Sequence, residues 1–88
     1  MSSFKLTVAS PDGNKFSGMA EKLDVRGVEG DLAVMAGHIP FVTSVVPCPC
    51  VITLEGGEKK TARMDGGLLT VAAEAVTLLS GSFRFDEE

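Results

Sequence analysis

Gly66-Gly67-Leu68-Leu69-Thr70-Val71-Ala72-Ala73-Glu74-Ala75-Val76-Thr77-Leu78-Leu79-Ser80-Gly81 is the stretch whose reading decides the fold. Two periods compete in it. Leu68, Leu69, Ala72, Ala75, Val76 and Leu79 fit the stripe of an amphipathic helix, and Ala and Leu are good helix formers. Against a helix stand the glycine pair before it, Gly81 after it, and Thr70, Val71, Val76 and Thr77 within it. Branching at Cβ restricts χ1 in a helix and suits a pleated strand. The segment therefore reads as strand, turn, strand, with the turn near Ala73 to Ala75.

Outward from this stretch the dominant period is two. Phe4, Leu6 and Val8 alternate with Lys5, Thr7 and Ala9, and Pro11-Asp12-Gly13-Asn14 follows as a turn. Met19, Leu23 and Val25 alternate with Lys22, Asp24 and Arg26, and Leu32 and Val34 continue after Gly30. Phe41 to Val46 is rich in β-branched residues and is expected to end at Pro47. Ile52 and Leu54 precede a Gly56-Gly57 turn, and Ala62 and Met64 precede an expected turn at Gly66-Gly67. Phe83 and Phe85 flank Arg84. Short alternating runs separated by turn residues predict an antiparallel sandwich or barrel.

With 88 residues, the chain suits one small domain. Its apolar fraction of 44% is too high for a disordered tail. The net charge of −4 argues against a nucleic-acid surface, and Lys59, Lys60 and Arg63 form only a local cluster. No secretory signal is visible at the start. Leu32 to Leu54 carries no Asp, Glu, Lys or Arg, but Gly37, His38, Pro40, Pro47 and Pro49 interrupt it too often for a membrane helix.

No catalytic constellation is visible. The one imidazole is His38, which reads as a loop residue bordering a contact surface rather than a general base. Cys48 and Cys50 form Cys-Pro-Cys, read as two small buried or half-buried thiols. Two thiols do not fill a tetrahedral metal site, and His38 does not complete one. A thiol or metal protein is thus a minor reading, and thiols without other Cys fit a reducing compartment. No cofactor is expected. The segment Gly27 to Phe41 is shaped by backbone geometry: Gly27, Gly30 and Gly37 are free to take unusual angles, and Pro40 holds Ile39 extended.

Arg26-Gly-Val-Glu-Gly-Asp-Leu-Ala-Val-Met-Ala-Gly-His-Ile-Pro-Phe41 resembles the Gly-x-x-Gly-x-Leu-x-x-Leu-Pro-Gly-His-Ala-Pro-Leu signature of the F-type ATP synthase epsilon subunit, called delta in mitochondria. Phe4 to Pro11 is similar to that family's first strand, Phe16-Ser17-Gly18 to its Phe-Ser-Gly turn, and Thr43 to Pro47 to its Leu-Thr-x-Leu-x-Pro stretch. Gly66 to Val71 and Val76 to Leu79 resemble two later strands. The resemblance covers nearly the whole chain, in order.

It implies an all-β fold, a flattened antiparallel β-sandwich of about ten short strands, over residues 1–85, with 86–88 as a short acidic tail. It implies a non-catalytic central-stalk rotor subunit of a proton- or sodium-translocating complex. Such a subunit is a monomer within the complex, binds the gamma subunit and the c-ring, and touches a membrane only through them. Its location would be the cytoplasmic face of a bacterial plasma membrane. Glu29, Asp31, Gly37, His38, Ile39, Pro40 and Phe41 are the expected partner-binding residues for ring or gamma. The uncharged run Leu32 to Leu54 is expected to supply part of an apolar subunit interface.

The chain departs from the family at Ala36, where Pro is usual, and at Cys48, where Gly is usual. It ends at Glu88, where the family usually continues into a C-terminal helical hairpin, so the inhibitory and ATP-binding roles of that hairpin are not carried over. The β-like ending Phe83 to Phe85 favours a naturally short form over a truncated piece. The alternative is a free-standing β-sandwich binding module, disfavoured because sugar platforms use Trp or Tyr and neither is present.

Overall fold

A computed structural model describes residues 3–37 and 39–86. It contains seven strands and no helix among the described residues: β1 Phe4–Ser10, β2 Gly13–Gly27, β3 Gly30–Met35, β4 Phe41–Leu54, β5 Lys59–Val71, β6 Ala75–Ser80 and β7 Phe83–Phe85. No described helix is long and apolar enough to cross a membrane. The deciding stretch is strand, turn, strand. Val71 pairs with Val76 across a turn closed by the Ala72 amide on the Ala75 carbonyl at 2.8 Å.

Three strands are long, with β2 at 15 residues, β4 at 14 and β5 at 13. Each serves two neighbourhoods in succession. The first half of β2 pairs with β1, and its second half with β3 and β4. The first half of β5 pairs with β7, and its second half with β6. One layer thus holds β3, the later parts of β2 and β4, the first part of β5, and β7. The other holds the start of β2, β1, β6, the end of β5 and the start of β4. The three shared strands supply two segments each, so seven continuous strands make the ten short segments that the sequence reading expects. The fold class is as expected, a flattened sandwich measuring 29 × 28 × 22 Å. One pairing, β1 with β6, is parallel rather than antiparallel.

The core lies between the layers. Leu6, Val8, Leu23, Ile52, Leu69, Val76 and Leu78 are fully buried, and Phe4 and Phe83 nearly so. Period-two alternation predicted most of these positions, because one face of each strand must leave water.

Four local expectations are corrected. Alternation puts Met19 with Leu23 on the inner face, yet Ala20 is buried and Met19 is exposed. A register shift between Ala20 and Lys22 flips the phase. Phe16-Ser17-Gly18 is strand within β2, not a turn. The strand from Phe41 does not end at Pro47 but continues to Leu54. Pairing between β2 and β4 breaks off from Val45 to Val51, so the missing amides of Pro47 and Pro49 fall beside an interrupted ladder.

Finally, Gly66-Gly67 is not a turn. It is the place inside β5 where the strand passes from one layer to the other. A Cβ on Gly67 would collide with the Leu79 carbonyl, and one on Gly66 would lie 2.7 Å from the Val45 carbonyl oxygen. The buried Ser80 hydroxyl donates to the Gly66 carbonyl at 2.7 Å and accepts from the Ser82 amide at 3.3 Å, which fixes the crossing.

Candidate subunit-docking site

The β2–β3 hairpin turns on two residues. Gly27 pairs with Gly30, so Val28 and Glu29 form the tip, and Gly30 holds φ +127°. A bulkier residue resists that angle, which explains the glycine. The Val28 amide donates to the Ser44 carbonyl at 3.2 Å and ties the tip to β4. One step below the tip, Arg26 faces Asp31 across the ladder, and its Nε donates to Asp31 Oδ1 at 2.8 Å. That carboxylate raises the pKa of Arg26 above its ordinary value, first through the hydrogen bond and then through its charge.

Beside the tip is an open groove of about 420 Å³, lined by Gly27, Glu29, Gly30, Asp31, Leu32, Phe41, Val42 and Thr43. Three expected site residues, Glu29, Asp31 and Phe41, converge on it. Ile39 and Pro40, both exposed, lead into Phe41, and Ile39 is 81% exposed. Gly37 sits in the preceding turn at φ +86°. His38 lies outside the described residues.

A second surface was not foreseen. On the outer side of β4, β5, β6 and β1, the ladders align two rows: Val42, Thr70, Thr77 and Thr7, then Ser44, Leu68, Leu79 and Ala9. None carries a charge. Val42, Leu68 and Leu79 are exposed. The pattern is invisible in sequence, because it appears only when four strands are set in register. The uncharged run Leu32 to Leu54 contributes only Val42 and Ser44 to these rows.

Both thiols are free, Cys48 half-buried and Cys50 buried. Cys48 Sγ accepts the Arg26 amide at 3.4 Å, standing in for a carbonyl where the β2–β4 ladder is interrupted. Burial, then the neighbouring Cys48 and Asp24, push the Cys50 thiol up to about 12. Among the described residues no group of three His, Cys, Asp or Glu is placed to hold a metal.

A stiff two-layer sandwich whose exposed apolar side chains gather at one hairpin and one uncharged sheet face has the form of a docking module. Residues 3–85 match the family described as ATP synthase, Delta/Epsilon chain, beta-sandwich domain, and the chain belongs to that family. It is 39% identical over 80 residues to the ATP synthase epsilon chain of Chromohalobacter salexigens, covering 91% of this chain and 57% of that one. It is 41% identical over 80 residues to the epsilon chain of Afipia carboxidovorans, covering 91% and 58% respectively. The chain thus spans well under two thirds of these relatives' length.

Among solved structures, a chain of the Euglena gracilis mitochondrial ATP synthase, in an assembly of OSCP, F1 and c-ring, superposes with a TM-score of 0.92 at 24% identity. The match covers all of this chain and 56% of that one. A chain of the Tetrahymena thermophila mitochondrial enzyme, from its central stalk and c-ring, gives 0.81 at 14% identity, covering 97% and 68%. At such identities the likeness concerns the fold.

Proposed function

We propose that this chain is a rotor subunit at the foot of the central stalk of an F-type ATP synthase. It docks on the gamma subunit and on the polar loops of the c-ring, and so helps couple proton or sodium flow to ATP synthesis. It performs no chemistry of its own. In a bacterial cell it sits at the cytoplasmic face of the plasma membrane, held there through the complex. The hairpin end, with Glu29, Asp31, Gly37, His38, Ile39, Pro40 and Phe41, faces the ring. The uncharged rows from Val42 to Ala9 face gamma.

One observation carries this reading beyond family membership. Of the eight large hydrophobic residues exposed among those described, five, Val28, Met35, Ile39, Phe41 and Val42, fall within a single segment. Val28 forms the hairpin tip and Phe41 and Val42 line the groove beside it, and an exposed apolar patch of this kind marks a surface meant to be covered. A torque-bearing foot also needs a body that does not deform, and two sheets closed around one core meet that need.

The test is co-expression with the cognate gamma subunit followed by size exclusion. A single stoichiometric peak is expected. Two separate peaks at micromolar concentration would count against the proposal.

A further inference from the structure

Three sulfur-bearing side chains share one patch of the core, where the β2–β4 ladder is interrupted. Cys48 and Cys50 stand two residues apart on β4, so both take its inner face. Met64 lies directly opposite Cys48 on β5, and the small Ala62 lies opposite Cys50. Met64 is buried on that same inner face. Side chains directly opposite in a ladder have Cβ atoms about 4.5–5.5 Å apart, and diagonal neighbours stand about 7–8 Å apart. Sulfur atoms held at about 2.3 Å from one metal ion lie about 4 Å from each other, a span that rotation about χ1 closes from such positions.

The donor set decides the ion. Zinc takes four strong ligands, and calcium and magnesium take oxygen. Two thiols and a thioether are soft donors, and such donors select Cu(I). Two features outside the set favour binding. The Arg26 amide already donates to Cys48 Sγ at 3.4 Å, a bond that favours a thiolate over a thiol. The half-buried Cys48 also lines an open groove of about 520 Å³, bordered by Leu32, Pro47 and Pro49, which gives an ion a way in from solvent. We propose that Cys48, Cys50 and Met64 form a binding site for Cu(I). One Cu(I) and two thiols give a dithiolate complex and two released protons, with the Met64 thioether as third ligand. No electron moves, and a reductant serves only to keep the copper monovalent. The bound ion ties β4 to β5 beside the interrupted ladder and stabilises the folded chain by mass action. This site is independent of the docking reading.

The experiment titrates the reduced full chain with Cu(I), under ascorbate and a competing colorimetric Cu(I) chelator, and follows thermal unfolding in parallel. The parent is expected to withhold a single Cu(I) per chain from the chelator, to show an ultraviolet thiolate-to-copper band, and to melt at a higher temperature with copper than without. Zinc in place of copper is expected to leave the melting temperature unchanged. Cys48→Ser, at a half-buried position, abolishes retention. Met64→Leu conserves core volume, folds normally and holds copper about tenfold to a hundredfold more weakly. Four results overturn the assignment. The parent may not lose copper to the chelator as readily as Cys48→Ser does, and Met64→Leu may not match the parent, which would leave plain dithiol binding without the thioether. Nor may zinc raise the melting temperature as copper does. A melting temperature lowered by copper shows that the metal binds the opened chain, and it refutes a site built into the fold.

Discussion

Replacing Gly66 by alanine probes the point where β5 changes layers. Gly66 holds φ +86°, an angle that an L-residue adopts at a cost of roughly 1–2 kcal/mol. A Cβ there lies 2.7 Å from the Val45 carbonyl oxygen and 3.3 Å from the Pro47 nitrogen, both main-chain atoms. Backbone held in a ladder yields little, so crowding adds about 1–3 kcal/mol. Gly57 is the natural control. It holds φ +95°, in the β4–β5 turn, with nothing within 4 Å of a Cβ. Gly57→Ala therefore carries the backbone cost alone, about 1–2 kcal/mol, against about 2–5 kcal/mol for Gly66→Ala.

For a domain of this length 1 kcal/mol moves the melting temperature by about 4–8 °C, so the two variants separate clearly. Urea and thermal unfolding followed by circular dichroism measure the difference. Equal losses would refute the reasoning. Gly66 would then occupy an ordinary open turn, as its Gly-Gly sequence suggests, and the layer crossing would be misplaced.

Ser80→Ala removes the hydroxyl that satisfies the buried Gly66 carbonyl and should cost about 1–3 kcal/mol in urea unfolding; a loss within error would show that the carbonyl finds another partner. Cys50 links stability to alkaline pH. Its thiol ionises near 12 in the folded chain against an ordinary 9.0, so its contribution is complete below about 9. As pH rises from there toward 12, the unfolded chain gives up the proton first, and stability falls by up to about 1.4 kcal/mol per pH unit. Cys50→Ala should lose this slope, whatever its cost at neutral pH; unfolding curves that fall in parallel above pH 9 would show that the thiol is not the cause.

The sequence carried the fold wherever a strand kept one neighbour along each edge. Phe4, Leu6 and Val8, or Val76 and Leu78, alternate without interruption, and all are core. Branched residues decided the helix-or-strand question at Thr70 to Thr77, because their local preference agreed with the sheet that received them. What stayed hidden depends on register. The phase flip between Ala20 and Lys22 comes from a bulge with no residue signature. Pro47 reads as a terminator, and only the interrupted β2–β4 ladder shows why it is tolerated.

The site was legible in the same uneven way. The Gly27 to Phe41 segment announced itself by its glycines and proline. The pairing of Arg26 with Asp31 emerges once the hairpin turn is known to be two residues long. Glu29 and Asp31 looked alike as neighbouring acids, and the ladder separates them. The uncharged rows on β4, β5, β6 and β1 needed three pairings at once, with two of their eight residues inside the run Leu32 to Leu54.

The docking claim stands or falls on what the hairpin end touches. A photo-reactive benzoylphenylalanine replacing Ile39, which is 81% exposed, reports this in the assembled membrane-bound complex. The account predicts an adduct with the c subunit. Adducts formed only with other subunits would contradict it.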